Sequence, residues 1–308
     1  MTSPRATKPP ARTAPESTLR ILVTGAAGQV GSEIVTELER RAGERHHGST
    51  WHVAGLSRRE LDVVSRDSVL AAVVSAEPHV IIHPAAWTAV DDCEGDPERA
   101  FAVNALGTRH IAEAARLVGA HVCYLSTDYV FDGAADRPYH EWDVPNPTSV
   151  YGRSKLAGER ELDPGSAIVR TAWVYGRNGS NMAKTVLRLA AAHPQLKFVN
   201  DQHGSPTLAS DLAVKVVDLA VARRRGIFHV TNQGSTTWYG FACEVLRLAG
   251  EDPGRVQPIA TAELDPPRAA PRPACSVLDN AVLRLDGAAL LPAWEDALAR
   301  LVGELLGG

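Results

Sequence analysis

The stretch that decides the fold lies near the start of the chain, where residues 19–31 read LRILVTGAAGQVG. Its first part, residues 19–24, is an apolar run of strand length, and residues 32–41 continue with the apolar spacing of a helix. Glycines occupy three positions of the turn between them, namely Gly25, Gly28 and Gly31. A glycine turn lets a phosphate group approach the backbone at the N-terminus of the following helix. This order therefore predicts a nucleotide-binding βα unit.

The spacing of these glycines is Gly-x-x-Gly-x-x-Gly, which differs from the Gly-x-Gly-x-x-Gly pattern of many dinucleotide-binding folds. Alone it is compatible with two structures: a cradle for the pyrophosphate of a dinucleotide, or an ordinary tight turn between a strand and a helix. The strand and helix patterns on either side favour the cradle.

Strand patterns alternate with helix patterns over the first half of the chain. The strand patterns lie at residues 51–56, 79–82, 121–126 and 167–170, and the long helix patterns lie at residues 97–117 and 151–161. Such alternation predicts an α/β fold with a doubly wound parallel sheet, the Rossmann arrangement.

The pattern changes near residue 175, which suggests a division into domains. Prolines break the later part of the chain into shorter elements, at Pro266, Pro267, Pro271 and Pro273. We predict a disordered tail over residues 1–18, a dinucleotide-binding Rossmann domain over 19–175, and a smaller, mainly substrate-binding region over 176–308. Later strands could return to the first sheet.

The composition of the 308 residues excludes several classes of function. The chain has 32 Lys and Arg against 36 Asp and Glu, so its net charge of −4 gives no strongly basic surface for nucleic acid. It contains no apolar run of about 18 residues, so no membrane-spanning helix is expected. The four cysteines are far apart, which predicts reduced thiols and a cytoplasmic protein.

The residues after the second strand pattern indicate which dinucleotide would bind. Arg58 and Arg59 are adjacent, and guanidinium groups can bind the 2′-phosphate that distinguishes NADPH from NADH. The alternative is a pair of solvated surface arginines. Asp62 could accept a hydrogen bond from the adenine amino group, or it could cap a helix that starts near Arg66.

Three later residues form a candidate proton-transfer group. Tyr151 and Lys155 are four positions apart in a helix pattern, so both side chains face the same way. A nearby ammonium should lower the phenol pKa from about 10 toward the working range. Thr127 follows a strand pattern, at the edge where doubly wound sheets bind ligands. Its hydroxyl and the phenol together suit proton transfer at a carbonyl or carbinol group.

The ordered set of motifs resembles the extended short-chain dehydrogenases/reductases and, within them, the dTDP-4-dehydrorhamnose reductase family. The segments that carry the resemblance are VTGAAGQVG (23–31), AAWTAVD (85–91), LSTDYVF (125–131), YGRSKLAGE (151–159), RTAWVYG (170–176) and NDQHGSPT (200–207). The resemblance extends from about residue 19 to the C-terminus and weakens after residue 250.

The resemblance implies a reductase that uses NADPH, with NADH also a candidate, on a dTDP-activated 4-keto-6-deoxy-L-sugar. Tyr151 would protonate the sugar C4 oxygen as hydride arrives, Lys155 would tune Tyr151 and bind the nicotinamide ribose, and Thr127 would orient the keto oxygen. The residues implied to hold the cofactor are Gly25, Gly28, Gln29, Val30, Gly31, Asp62, Val63, Ala85 and Ala86, with Arg58, Arg59, Tyr151 and Lys155. The residues implied to line the sugar pocket are Val90, Thr127, Asp128, Tyr129 and Trp173, although Trp173 could instead be a core residue.

Two departures from the family pattern concern the site. His83 stands where the family usually has an asparagine motif before Ala85 and Ala86, and we predict a packing or capping role for it. Some relatives hold Mg²⁺ between subunits with carboxylates. Glu33 matches one such position, but Ser210 stands where another would be, and the neighbouring Asp211 is interpreted as a helix charge. We therefore assign no metal site and leave Mg²⁺ binding and a homodimer open.

Three other functions compete with this hypothesis. A related reductase could act on an antibiotic sugar, as a dihydrostreptose synthase does. A nucleotide-sugar dehydratase or epimerase could share the fold, but dehydratases carry Glu where this chain has Tyr129. The regulatory subunit of methionine adenosyltransferase also resembles this family without being a reductase. The presence of Thr127, Tyr151 and Lys155 favours an enzyme.

Overall fold

The computed structural model describes residues 17–44 and 49–307, so residues 1–16 of the predicted tail lie outside it. Strands are numbered along the chain. They are β1 (Ser17–Thr24), β2 (Ser49–Leu56), β3 (Val80–His83), β4 (His121–Thr127), β5 (Ala167–Thr171), β6 (Val174–Tyr175), β7 (Leu196–Val199), β8 (His203–Gly204), β9 (Thr207–Leu208), β10 (Gly226–His229), β11 (Thr236–Thr237) and β12 (Val256–Ile259). The first strand thus begins at Ser17, two residues earlier than predicted.

The helices are numbered in the same way. They are α1 (Gln29–Gly43), α2 (Arg66–Ala76), α3 (Val90–Gly95), α4 (Pro97–Phe101), α5 (Gly107–Val118), α6 (Val150–Glu159), α7 (Met182–Ala192), α8 (Ala209–Val221), α9 (Trp238–Leu248), α10 (Ala281–Leu285) and α11 (Trp294–Leu306). A π-helical turn covers Ala102–Leu106, and short 3₁₀ turns cover Asp128–Val130, Pro253–Arg255 and Thr261–Glu263.

Six strands form one sheet in the order β10-β5-β4-β3-β1-β2, and every neighbouring pair is parallel. The chain runs from β1 outward to β2 and then crosses back to β3 on the other side, so the strand order reverses between β1 and β3. Open α/β sheets bind ligands at the carboxyl ends of the strands beside such a reversal. This topology confirms the predicted doubly wound fold, and β10 is a late strand that returns to the first sheet.

Helices cover both faces of the sheet. On one face α1 packs against α8, with Ile34 and Leu38 meeting Leu212 and Val216 in a shared apolar cluster. On the other face α2 packs against α5, in a cluster that includes Val69. The central strands β3 and β4 are buried almost throughout, which explains why they read as continuous apolar runs rather than alternating patterns.

The later part of the chain forms a second apolar cluster beside the sheet. Helix α9 packs there against α7 and α11 and against the parallel pair β7 and β12. Phe241 and Trp294 are among its buried residues, and the Tyr175 hydroxyl donates to the Trp294 carbonyl at 3.3 Å. Among the described residues, no helix is both long and apolar enough to cross a membrane.

The helix expected over residues 97–117 is interrupted, which corrects the sequence-based prediction. It is divided into α4, the π-helical turn and α5. A π-helical turn inserts one extra residue and turns the local side chains. Asn104 lies in this turn, where it is buried and hydrogen-bonded to Ser154 and to the backbone of Trp87. The interruption of the helix therefore coincides with a buried polar side chain, which the apolar spacing of the sequence does not show.

The helix expected near Arg66 does begin there, but Asp62 does not cap it. Ser65 is the N-cap residue, and its hydroxyl accepts from the backbone N–H of Ser68. The Asp62 carboxylate instead accepts from the backbone N–H of Val64 at 3.1 Å. Of the two roles that the sequence allowed for Asp62, capping α2 is wrong.

Candidate active site

A cavity of about 630 Å³ opens at the carboxyl ends of the sheet strands. It brings together most of the predicted site residues from distant parts of the sequence. These residues are Gly25, Gly28, Gln29, Val30, Gly31, Ala86, Val90, Thr127, Asp128, Tyr129, Tyr151, Lys155 and Trp173. The cavity also contains Trp238, which the sequence analysis did not identify.

A smaller pocket of about 90 Å³ adjoins the cavity at Ala86. Its lining includes the predicted residues Arg58, Asp62 and Val63. Arg99 also lines it, with its guanidinium 4.3 Å from the centre of the Trp87 ring, and the sequence analysis missed this residue. Two other predicted residues lie outside both linings. Arg59 is exposed, and Ala85 packs behind the glycine turn, where a Cβ on Gly25 would lie 2.9 Å from its Cα.

The glycine turn has the shape that a pyrophosphate requires. Gly25 has a φ of +58°, and a Cβ on Gly31 would lie only 2.2 Å from the Gly25 carbonyl oxygen. Gly28 is the N-cap of α1, no side chain caps the helix there, and its first turn holds no acidic residue. The first N–H groups of a helix lack partners within it, and they carry the positive end of its dipole. The turn therefore fits a dinucleotide phosphate, and the cradle is favoured over an ordinary tight turn.

Tyr151 and Lys155 stand on α6, whose start is defined by its cap. The Ser149 hydroxyl accepts from the backbone N–H of Gly152 at 3.1 Å. Gly152 allows α6 to lie directly against the 3₁₀ turn after β4, because a Cβ there would be 2.1 Å from the Tyr129 carbonyl oxygen. This close approach places the Tyr151 ring 5.5 Å from that of Tyr129, centre to centre.

Burial dominates the electrostatics of the proton-transfer group. It raises the pKa of Tyr151, and a hydrogen bond with Thr127 acts in the opposite direction. Burial also lowers the pKa of Lys155 to about 7, against the attraction of the Glu159 carboxylate. The expected lowering of the Tyr151 pKa by Lys155 does not appear in this structure, because burial sets the direction of the shift and Lys155 is not among the groups that act on it. The phenol keeps its proton near neutrality, as a proton donor requires.

The ammonium of Lys155 is held by groups other than Tyr151. It donates to the Leu125 carbonyl at 2.7 Å and lies 4.0 Å from the centre of the Tyr124 ring. The backbone of β4 and its aromatic side chain thus fix the position of Lys155 beneath the cavity.

Asp128 is buried at the same end of the cavity, with 2% of its surface exposed. One carboxylate oxygen accepts from the Thr127 hydroxyl at 2.9 Å. Burial raises the pKa of this carboxyl group to about 6, although hydrogen bonds to it act in the opposite direction. The group is therefore partly protonated near neutral pH.

A buried ion pair lies behind the proton-transfer group, and the sequence analysis missed it. Arg170 on β5 binds the Glu159 carboxylate through two hydrogen bonds of 2.6 and 2.9 Å. The Ser126 hydroxyl donates to the same carboxylate at 2.5 Å. Glu159 follows Lys155 by four residues on α6, so this carboxylate is the acidic neighbour that favours the charged form of Lys155.

Trp173 forms part of the cavity wall in an unusual backbone conformation. Its φ is +46°, in the left-handed region that a non-glycine residue rarely adopts and that costs on the order of 1–3 kcal/mol. Its ring lies on that of Trp238 with a centroid distance of 3.5 Å and an angle of 4° between the planes. Trp173 is thus at the cavity and half-buried, in contact with a second indole, rather than enclosed in the core.

A strap from the later part of the chain closes over α3. The Asp91 carboxylate accepts two hydrogen bonds from Arg272, at 2.7 and 3.0 Å, and one from the backbone N–H of Ala270 at 3.0 Å. This contact ties the proline-rich segment to the edge of the site.

The chain is similar to known proteins over nearly its whole length. A family profile described as the RmlD substrate binding domain matches residues 19–306. The chain belongs to the RmlD substrate binding domain family. A relative from Streptomyces griseus, named dTDP-4-dehydrorhamnose reductase, is 43% identical over 297 residues, which cover 94% of each chain.

Two crystal structures show how closely the chain follows the RmlD fold. One is a dTDP-4-dehydrorhamnose reductase ortholog from Clostridium acetobutylicum, with a TM-score of 0.86 and 40% identity over 94% of this chain and 100% of that one. The other is a dTDP-4-dehydrorhamnose reductase from Bacillus anthracis in complex with NADP, with a TM-score of 0.85 and 36% identity over 93% and 99% of the two chains. They confirm the resemblance that the motifs predicted.

The two departures from the RmlD pattern have structural explanations. His83 is fully buried, and its Nδ1 lies 2.7 Å from the Thr24 hydroxyl, so it ties β3 to β1. Burial, aided by the Lys155 charge, lowers the pKa of His83 to about 3, which keeps the ring neutral. This agrees with the predicted packing role.

The two carboxylates considered for Mg²⁺, Glu33 and Asp211, have different hydrogen-bond partners. Glu33 faces the amide of Asn178 at 3.4 Å, and burial raises its pKa. Asp211 binds Asn232 at 2.9 Å and Arg300 at 2.5 Å, so it links α8 to α11 in addition to being a charge in the first turn of a helix. Within residues 17–44 and 49–307, no group of three or more His, Cys, Asp and Glu side chains could hold a metal ion.

Proposed function

We propose that this chain is an NADPH-dependent reductase that converts dTDP-4-dehydro-L-rhamnose to dTDP-L-rhamnose by reducing the keto group at C4. The observation that carries the proposal is the position of the Tyr151 phenol and the Thr127 hydroxyl in the cavity that also contains the glycine cradle. A donor pair beside a dinucleotide site is what carbonyl reduction needs. The similarity to named reductases over nearly the whole chain supports the same function.

The cofactor, when bound, supplies the hydride, and the chain supplies orientation and the proton. The Tyr151 hydroxyl donates its proton to the C4 oxygen of the sugar as negative charge develops there. The Thr127 hydroxyl orients the same oxygen, and Asp128 holds Thr127 through their 2.9 Å hydrogen bond. The charged form of Lys155 stabilises the phenolate that remains, and the Glu159 carboxylate favours that charged form.

Most of the remaining predicted residues are assigned to three subsites. Gly25, Gly28, Gln29, Val30 and Gly31 would hold the pyrophosphate, and Arg58, Asp62 and Val63 would meet the adenosine end in the smaller pocket. Val90, Tyr129 and Trp173 would line the sugar pocket. The NADP complex of the Bacillus anthracis relative supports NADPH as the cofactor, and NADH is proposed as a weaker substitute. We propose a cytoplasmic location, in keeping with a free dinucleotide cofactor.

An assay of cofactor turnover tests this function. The purified chain is incubated with NADPH and dTDP-6-deoxy-L-lyxo-4-hexulose, absorbance is followed, and the product is identified by NMR. Stoichiometric NADPH oxidation with formation of dTDP-L-rhamnose is the expected result. An epimerase or dehydratase would change the sugar without net oxidation of NADPH, and a regulatory subunit would do neither.

A further inference from the structure

The stacked indoles join two separate parts of the molecule at the cavity wall. Trp173 follows the carboxyl end of β5 in the main sheet, whereas Trp238 is the first residue of α9 in the C-terminal cluster. Both rings line the cavity, and their planes are nearly parallel at a centroid distance of 3.5 Å. Neither the sheet nor the C-terminal cluster alone can form this wall.

Trp173 requires support because its own backbone does not favour its position. With a φ of +46°, the residue persists in the left-handed region only when its surroundings hold it there. The Trp238 ring covers one face of the Trp173 indole, and the Trp173 carbonyl accepts from the backbone N–H of Thr207 at 3.2 Å. The stacked ring and this hydrogen bond therefore fix which way the indole points.

Gly204 on β8 makes room for the edge of the same indole. A Cβ on Gly204 would lie 2.2 Å from Cε2 and 2.5 Å from Nε1 of Trp173. The backbone of Gly204 does not have a positive φ, so close approach of the indole, rather than backbone conformation, accounts for the glycine. Even the smallest side chain at this position would displace Trp173.

Trp238 is in turn held from behind by rings that do not reach the cavity. Its ring meets Phe241 edge to face at 6.1 Å, and Phe241 packs against Trp294 at 5.9 Å. Phe241 and Trp294 are buried, at 1% and 5% exposure, whereas Trp238 is half-buried and faces the cavity. The aromatic cluster thus provides a rigid base from which Trp238 reaches the site.

We propose that Trp238 is a positioning residue for the nucleotide-sugar pocket. Its indole holds Trp173 in the orientation that forms a flat apolar wall, and Gly204 is the glycine that this orientation requires. Such a wall can cover the apolar face of a deoxysugar ring and exclude water from it. The inference deepens the proposed function and rests on it, because it assigns the wall to the sugar rather than to the cofactor.

Two variants test this role by different routes. Trp238→Leu removes the stacking ring but keeps an apolar side chain, and Gly204→Ala pushes Trp173 aside while Trp238 is unchanged. In both we expect the KM for the nucleotide sugar to rise about tenfold, with a smaller change in kcat and an unchanged Kd for NADPH. Near-ultraviolet circular dichroism gives an independent signature, because parallel indoles in contact couple excitonically. That signal should be lost in Trp238→Leu and altered in Gly204→Ala.

Trp51→Phe is the matched control, since it changes an indole that packs against the core of the main sheet and lies outside the cavity lining and the aromatic cluster behind Trp238. It should lower the melting temperature and leave both the KM for the sugar and the excitonic signal unchanged. The proposal is overturned when either test variant loses the signal but keeps the wild-type KM, or when Trp51→Phe raises the KM as much as they do. Wild-type protein that fails to reduce the sugar instead refutes the proposed function itself.

Discussion

The cavity has two halves that differ in their lining: the half at the glycine turn, here called the cofactor half, and the half at Tyr151, Lys155 and Asp128, here called the catalytic half. The cofactor half is mostly backbone, because the glycine cradle leaves no space for an added atom at Gly31. The catalytic half consists of buried ionisable side chains, and burial moves the pKa of Tyr151, Lys155 and Asp128 toward the neutral form of each. Substitutions in the cofactor half should therefore impair binding through steric overlap, and substitutions in the catalytic half should impair proton transfer or change the charge of the site.

The sharpest test of the catalytic half is Tyr151→Phe, which removes the proton donor and keeps the ring. General acid catalysis contributes about 10²–10⁴-fold, so kcat should fall by that factor. The Kd for NADPH and the melting temperature should change little, because the ring still packs against Tyr129. Steady-state kinetics and a fluorescence titration with NADPH measure both quantities.

Tyr139→Phe provides the control for that experiment. This phenol is also buried, but its hydroxyl donates to Asp132 at 2.7 Å and it is not among the cavity-lining residues. It should lower stability and leave kcat unchanged. A Tyr151→Phe protein that keeps most of its turnover would remove Tyr151 from the catalytic role.

Gly31→Ala tests the cofactor half by adding an atom, whereas Tyr151→Phe tests the catalytic half by removing one. The new Cβ would meet a backbone oxygen at 2.2 Å, which only a shift of the turn can relieve. We expect the affinity for NADPH to fall more than tenfold and the melting temperature to fall with it. Gly43→Ala, in the same helix but with no atom of residues 17–44 or 49–307 within 4 Å of its new Cβ, should bind NADPH as the wild type does. Equal behaviour of the two variants would show that the turn is not a tight cradle.

Parts of both halves could be predicted from the sequence, where the residues lie within one local pattern. The cradle lies within residues 25–31, so its strand, turn and helix are visible as one local pattern. The Tyr151–Lys155 pair was visible for the same reason, since helix spacing places both side chains on one face. The parallel sheet followed from the alternation of such local patterns.

Residues that act through distant partners could not be predicted in this way. Trp238 has a role only because the fold brings it onto Trp173, and Arg99 lines its pocket only because α4 lies beside Trp87. The pKa of Tyr151 depends on burial rather than on spacing, so its upward shift could not be predicted from the sequence. The π-helical turn around Asn104 also depends on contacts across the fold, since its side chain bonds to Ser154.

The titration of Asp128, in the catalytic half, should make the free energy of unfolding of the protein depend on pH. Its pKa of about 6 in the folded chain lies above the ordinary aspartate value of 3.8, so folding favours the protonated form. The stability that this preference contributes is present below about pH 4 and is lost as the pH rises through 6. The substituted side chain of the Asp128→Asn variant stays neutral at every pH. The free energy of unfolding of this variant, relative to the wild type, should therefore rise by on the order of 2 kcal/mol from pH 4 to pH 7.

Urea unfolding of both proteins across this pH range measures the difference. Asp132→Asn serves as a control of opposite sign, because hydrogen bonds from Ala134, Asn146 and Tyr139 lower the pKa of Asp132. The contribution of Asp132 is present at neutral pH and is lost as the pH falls toward its lowered pKa. A stability difference between Asp128→Asn and wild type that does not vary with pH would contradict the buried, partly protonated carboxyl group.

The smallest expected effect lies at the adenosine end, where the cofactor half changes from backbone to exposed side chains. Both arginines are exposed, but Arg58 lines the small pocket and its neighbour Arg59 does not. The sequence analysis predicted that both arginines bind the 2′-phosphate, and we propose that Arg58, which lines the pocket, is the one that would bind it. Arg58→Ala should therefore raise the KM for NADPH by up to about tenfold and leave the KM for NADH unchanged.

Arg59→Ala is the matched control and should leave both values near wild type. Because the contact is solvent-exposed, the effect should shrink as salt is added. Equal effects of Arg58→Ala on both cofactors, or a larger effect of Arg59→Ala, would show that this pocket does not distinguish NADPH from NADH.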